Sequence, residues 1–221
     1  DDTLAYSSGI FLSPTSTLRD ASLEKMDRIC RKLDLRATDH LLEIGTGWGG
    51  LAIHAAKHFG CRVTTTTISQ QQFDAARERI DEAGLSDRVT LLLEDYRDLT
   101  GKFDKLVSVE MIEAVGHRYQ DTYFRQCSEL LKPNGTFVLQ AIVIPDRRHA
   151  QYLKTVDFIQ RYVFPGGCLP SVSSILESMS RVTDLRFVHA EDFGTHYAQT
   201  LREWRQRFHE RLDDVRGLGF P

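Results

Sequence analysis

The stretch "SVEMIEAVGHRY", residues 108–119, sets two glutamates three apart, Glu110 and Glu113, directly after an apolar run that ends at Val109. A carboxylate at the mouth of a buried strand needs a partner, because an uncompensated buried charge costs on the order of several kcal/mol. A second feature lies upstream in "LEIGTGWGG", where Gly45, Gly47 and Gly50 stand in GxGxxG register. Glycines so placed let backbone come close to a ligand at the switch point of an open sheet.

The glycine loop alone is shared by several nucleotide-binding families. A dinucleotide site calls for an acid about 20 residues further on, gripping the ribose. Here that region is Thr64 to Thr67, without a carboxylate. Glu43 instead precedes the first glycine in an acidic-x-Gly-x-Gly pattern that resembles class I methyltransferases, where it can meet the amino group of the cofactor's methionine moiety. In "EDYRDL", Asp95 is placed to accept from an adenine amino group and Tyr96 to pack on its face. Read without the loop, the same residues make a solvated turn. His54 and His58 share a helix face, but "HAAKH" lacks the glutamate of HExxH, and no metal site is expected.

The elements that must hold these residues follow from periodicity. Apolar positions at Leu23, Met26, Ile29, Cys30 and Leu33 predict a helix over 17–33. Short apolar runs predict strands at 40–45, 61–69, 88–95, 105–110 and 136–144, with helices over 50–59, 70–84 and 119–132 between them. Strands alternating with helices at this pitch imply an α/β fold with a parallel sheet and helices on both faces. Residues 146–181 break the rhythm with helix, the turn "FPGGCLPS" and helix. Beyond them "DLRFVHAEDF" reads as a sixth strand, and "YAQTLREWRQRFHERL" as a last helix. One domain over 1–221 is expected, with a helical cap over 1–37.

Composition narrows the function. The 221 residues are 41% hydrophobic and 27% charged, and the net charge of -3 gives no pull towards nucleic acid. No apolar stretch approaches the roughly 20 residues of a membrane helix, so membrane contact is expected to be peripheral. Four scattered cysteines without a CxxC pair are expected to be reduced thiols of a cytoplasmic protein.

Several segments together resemble the cyclopropane fatty acid synthase family, which includes the mycolic acid cyclopropane synthases. They are "YSSGIF", "LEIGTGWGGLA", "TTTISQQQ", "LEDYRDL", "VSVEMIEAVGHRYQDTYF", "LLKPNGTFVLQAI", "FIQRYVFPGGCLPS" and "FGTHYAQTLREW", in family order along nearly the whole chain. The resemblance implies a class I methyltransferase (Rossmann-like) fold. It also implies methyl transfer from S-adenosylmethionine to the cis double bond of an acyl chain, forming a cyclopropane ring through a carbocation. By the same resemblance the cofactor contacts fall on Tyr6, Ser7, Gly45, Gly47, Thr67, Ile68, Gln72, Tyr96 and Val109. Gln72 then takes the ribose role that an acid takes elsewhere.

The family also holds a bicarbonate ion as proton acceptor, and its holders match Ser8, Glu113, Gln140 and Tyr197, with backbone near Val109. Ser8 and Gln140 stand where many members carry cysteine and histidine. Their side chains can still donate hydrogen bonds, but neither offers the charge of a histidine. Glu113 is thus expected either to orient bicarbonate or to accept the proton itself, and Glu110 to cap or to pair with an arginine. The departures also leave open a relative that makes a methylene or branched product, or a non-catalytic cofactor-binding domain.

Tyr152, Leu153, Val156, Phe158, Ile159, Tyr162, Val163 and Phe164 make the insertion apolar. They read equally as core or as a slot for an acyl chain of an unsaturated phospholipid. Cys168 reads as buried and inert. The last helix sets Arg202, Arg205, Arg207 and Arg211 opposite Leu201, Trp204, Phe208 and Leu212. This face is expected to pack on the sheet, and docking on anionic lipid at the inner face of the membrane is the alternative. A homodimer also stays open. A class I sheet has seven strands, and no run before Pro221 supplies the final antiparallel one.

Overall fold

The computed structural model describes residues 1–220. The chain divides by its packing into two compact units, one made of Asp1–Arg28 with residues 189–220, the other of Ile29–Val188.

The larger unit is built on five strands: β1 (His40–Ile44), β2 (Arg62–Thr67), β3 (Val89–Leu93), β4 (Phe103–Val109) and β5 (Leu131–Gln140). All pair in parallel, in the order β3-β2-β1-β4-β5. The chain walks outward one way from β1 and then restarts beside it at β4. Right-handed crossovers therefore put α2 (Gly50–Phe59) and α3 (Gln70–Glu82) on one face and α5 (Gln120–Leu130) on the other. The switch point lies between β1 and β4, where Ile44 pairs with Ser108.

Leu42, Ile44, Leu106, Ile112, Tyr123, Phe124 and Cys127 form the core, each at most 1% exposed. Cys61 and Cys127 have thiols that burial pushes up, to about 11 for Cys61. Pro133-Asn134-Gly135, expected as a turn, lies inside β5 where its register shifts between Phe103 and Lys105, and Asn134 sits at φ +63°. After β5 come α6 (Asp146–Tyr152), a π-helical turn (Ile159–Val163) and α7 (Val172–Val182). Ser171 and Ser174 close α7 with a capping box.

The expected sixth strand is not formed. Residues 184–193 are irregular and pair with no strand among the described residues. Leu185 packs on the core, while Phe187 and Val188 are 55% and 79% exposed. An apolar run becomes a strand only when a neighbour accepts its backbone, and this one has none.

In the smaller unit Phe11, Leu18 and Ala21 pack with Trp204 of α8 (Gly194–Glu210), where Leu18 and Ala21 belong to α1 (Leu18–Lys32). A Cβ on Gly9 would stand 2.8 Å from that of Ala21, so only glycine fits that crossing. The Gly9 amide donates to Thr200 Oγ1 at 3.1 Å, and Phe11 N to His196 Nδ1 at 3.2 Å. A short helix, α9 (Leu212–Gly217), follows α8.

Candidate active site at the β1/β4 switch point

The glycine loop is held by its neighbours rather than by side-chain bulk. Gly45 and Thr46 both donate to the Thr66 carbonyl of β2, and Gly45, Gly47 and Gly49 take φ of +100°, +53° and +82°. Beneath it Glu43, 3% exposed, accepts from Thr65 Oγ1 at 2.6 Å. That hydroxyl has one proton, so Thr46 Oγ1 donates to it in turn at 2.7 Å. This Thr46–Thr65–Glu43 relay, invisible in the sequence pattern, ties the loop to the sheet.

The ends of β2 and β3 flank the loop. Thr67 Oγ1 donates to Gln72 Oε1 at 2.8 Å, Ser69 caps α3, and Ile68 is 77% exposed. Asp95 grips Arg97 through Nε and Nη2 at 2.9 and 2.7 Å, which holds its carboxyl below the usual range. Any adenine amino group must therefore share that carboxylate with Arg97. Tyr96 lies edge-on to Tyr123 at 5.6 Å, and burial pushes its phenol up. A β-carbon on Gly45 would stand 3.5 Å from Met111 Cγ, so the residue after Glu110 lies against the loop.

Val109 ends β4 opposite Gln140. Glu110 then turns into the left-handed region at φ +50°, donates its amide to the Gln140 carbonyl at 2.9 Å, and begins the short turn into α4 (Ile112–Val115). Its carboxylate accepts from Gln140 Nε2 at 2.7 Å, a side-chain pair between the ends of β4 and β5 that the sequence reading does not include. Finding that pair from sequence needs the β4/β5 register, which no motif carries.

Glu113 Oε1 accepts from the Ile142 amide at 2.5 Å, whereas Oε2 is buried with no hydrogen-bond partner among the described residues. Burial, and then the charge of Glu110, push its carboxyl up to about 7, against the pull of the Ile142 bond. The backbone N of Cys168 donates to the Glu113 carbonyl at 2.7 Å, so "FPGGCLPS" is fastened to this helix. The Cys168 thiol is buried and raised, as its inert reading requires.

The middle of the insertion is not core, although Ile175 and Met179 of α7 pack against the core. Val156, Phe158, Ile159, Tyr162, Val163 and Phe164 are 48–74% exposed, and of the eight apolar residues named above only Tyr152 is buried, its hydroxyl accepting from Leu169 N. The remaining expected residues lie in the smaller unit. There Ser7 Oγ accepts from buried Lys25, Ser8 Oγ donates to the Gly9 carbonyl at 3.1 Å, Tyr6 is 58% exposed, and Tyr197 stacks edge-on with Trp204. The apolar side of α8 turns Trp204 onto the Phe11 cluster, while Leu201 and Phe208 remain about half exposed.

A parallel sheet with a strained glycine loop and carboxylates at its switch point defines the class I, S-adenosylmethionine-dependent methyltransferase fold. The loop fits that cofactor, since glycines in the left-handed region leave its backbone without side chains. The model of the mycolic acid cyclopropane synthetase family matches residues 1–219, and the chain belongs to that family.

The tuberculostearic acid methyltransferase UfaA1 of Mycobacterium tuberculosis is 42% identical over 227 residues, covering 100% of this chain and 53% of that protein. The cyclopropane-fatty-acyl-phospholipid synthase of Escherichia coli is 42% identical over 193 residues, covering 86% and 47%. The chain thus spans about half the length of these curated relatives. Among solved structures, the mycolic acid cyclopropane synthase CmaA1 complexed with SAH and CTAB aligns at TM-score 0.90 and 27% identity, covering 99% of this chain and 79% of that one. No helix among the described residues is long and apolar enough to cross a membrane.

Proposed function

We propose that the protein transfers a methyl group from S-adenosylmethionine to the cis double bond of an unsaturated acyl chain in a phospholipid. The observation that carries this reading is the Glu113 carboxyl, half-satisfied at the exit of β5 and two residues along from Met111, which lies against the glycine loop. Such a group suits a reaction whose last step is loss of a proton. When bound, the cofactor supplies an electrophilic methyl. The glycine loop, Thr67, Ile68, Gln72, Asp95, Tyr96 and Val109 bind and orient it, and Glu43 holds the loop. The exposed apolar insertion receives the acyl chain. Glu113 and Gln140 serve the deprotonation.

The stage at which a proton leaves decides the product. Loss from the new methyl directly onto the neighbouring cation closes a cyclopropane ring, whereas a 1,2-hydride shift that moves the cation to the methylated carbon, followed by loss from the new methyl, leaves a methylene branch. The second outcome is favoured by the Gln140–Glu110 pair, which changes the surroundings of the acceptor, and by the likeness to a tuberculostearic acid methyltransferase. The test is lipid analysis of a host expressing the full-length protein, with and without Glu113→Gln. Added methylene mass in the wild type alone supports the reading; none in either rejects it. Hydrogenation or proton NMR then separates ring from methylene.

The protein works at the cytoplasmic face of the membrane, held there peripherally. The exposed aromatics of the insertion and the basic side of α8 support this placement. Co-sedimentation with phosphatidylglycerol vesicles is expected at low salt and should weaken at high salt. Equal recovery in the supernatant at both salts would remove the docking role.

A further inference from the structure

Bicarbonate does not fit the strand ends of this chain. An anion needs donors, and the two found at the end of β5 are engaged by the chain's own carboxylates. Gln140 Nε2 donates to Glu110 at 2.7 Å, and the Ile142 amide to Glu113 at 2.5 Å. The Gln140 amide cannot be turned the other way, since its carbonyl would then face a carboxylate oxygen. What remains buried without a partner is two acceptors, Gln140 Oε1 and Glu113 Oε2. A bicarbonate ion beside them would meet lone pairs and two carboxylates.

The same contact suggests what stands in its place. Gln140, which the resemblance assigns to bicarbonate, holds the side chain of Glu110, and a carboxylate offers the same planar pair of oxygens. Glu110 also adopts φ +50°, uncommon for any residue but glycine, at the switch point and next to Met111 on the glycine loop. Backbone strain of this kind gathers at functional sites.

We propose that Glu110 is the resident anion of this centre, positioned by Gln140, and that it accepts the proton in place of bicarbonate. The proposal rests on the methyl-transfer reading. Methyl transfer to one alkene carbon leaves its neighbour a carbocation. A C–H bond on the new methyl then breaks, directly or after the hydride shift, and its electron pair forms the ring bond or a new double bond. The proton passes to a Glu110 oxygen, giving a neutral carboxyl that returns it to water through Glu113. Glu113, raised by burial and by Glu110, holds a proton that it passes on as it receives one from Glu110, so that the pair carries one charge between turnovers.

The test uses the full-length protein with radiolabelled cofactor and unsaturated phosphatidylglycerol vesicles, in carbon-dioxide-free buffer and with added bicarbonate. Wild-type turnover is expected to be the same in both. Glu110→Gln is expected to lose about a hundredfold or more in turnover, with cofactor binding by calorimetry unchanged. Glu110→Gly relieves the backbone, so it should fold, and added bicarbonate or formate is expected to restore part of its rate. Wild-type turnover that requires bicarbonate, or Glu110→Gln at full rate, overturns the proposal while leaving methyl transfer intact. Wild type that labels no unsaturated lipid overturns the reading beneath it and the proposal together.

Discussion

Glu113→Gln is expected to abolish turnover, by a factor of about a thousand within the usual range for a group handling a transferred proton, while the cofactor still binds. The same substitution should stabilise the protein above neutral pH. The folded carboxyl is raised from 4.5 to about 7, chiefly by burial. Below about pH 4.5 it is protonated in both folded and unfolded chains and contributes nothing. As pH rises towards 7 the unfolded carboxyl ionises first, the folded state holds the extra proton, and stability falls. The full penalty, about 3 kcal/mol, applies above that range. Glutamine removes the ionisation but leaves a buried amide donor, so a net gain of about 2 kcal/mol at pH 8 is expected. Urea unfolding at several pH values measures it. A variant that is no more stable than wild type at pH 8, or equally more stable at pH 4.5, would refute the buried-acid account; one that turns over normally would refute the role of Glu113 in catalysis.

Gly45→Val is expected to disable cofactor binding for a reason that is conformational rather than steric. The added β-carbon meets only ordinary contact, 3.5 Å from Met111 Cγ. The backbone at φ +100° is closed to a β-branched residue. Strain of about 1–3 kcal/mol, relieved by moving the loop, corresponds to a loss of roughly 5- to 150-fold in affinity. Calorimetry with S-adenosylmethionine reads it directly. Affinity equal to wild type would show that the loop's left-handed shape is not needed for binding.

The parallel sheet was legible because its strands are short apolar runs separated by helices of clear period. Residues 50–59 form a helix with the expected limits, and the first four strands differ by only one or two residues at their ends, whereas β5 lies four to five residues earlier than expected. "DLRFVHAEDF" misled because Leu185, Phe187 and Val188 have strand-like composition, whereas a strand exists only as a pair. At the site, the glycines and Glu113 announce themselves by type and spacing. Glu110 did not, because its meaning depends on Gln140, thirty positions away and adjacent only through the β4/β5 register. The exposure of Phe158 and Tyr162 was likewise beyond periodicity, which marks an apolar side chain without saying what covers it.

The tethering of the insertion has a mechanical consequence. Ile144 donates to the Pro170 carbonyl at 2.9 Å, and Cys168 to that of Glu113. The apolar segment is thus a noose drawn shut at its base, with one knot on the helix that carries the acid. On the proposed function, an acyl chain seated in the insertion would bear on the helix of Glu113 through the Cys168 amide.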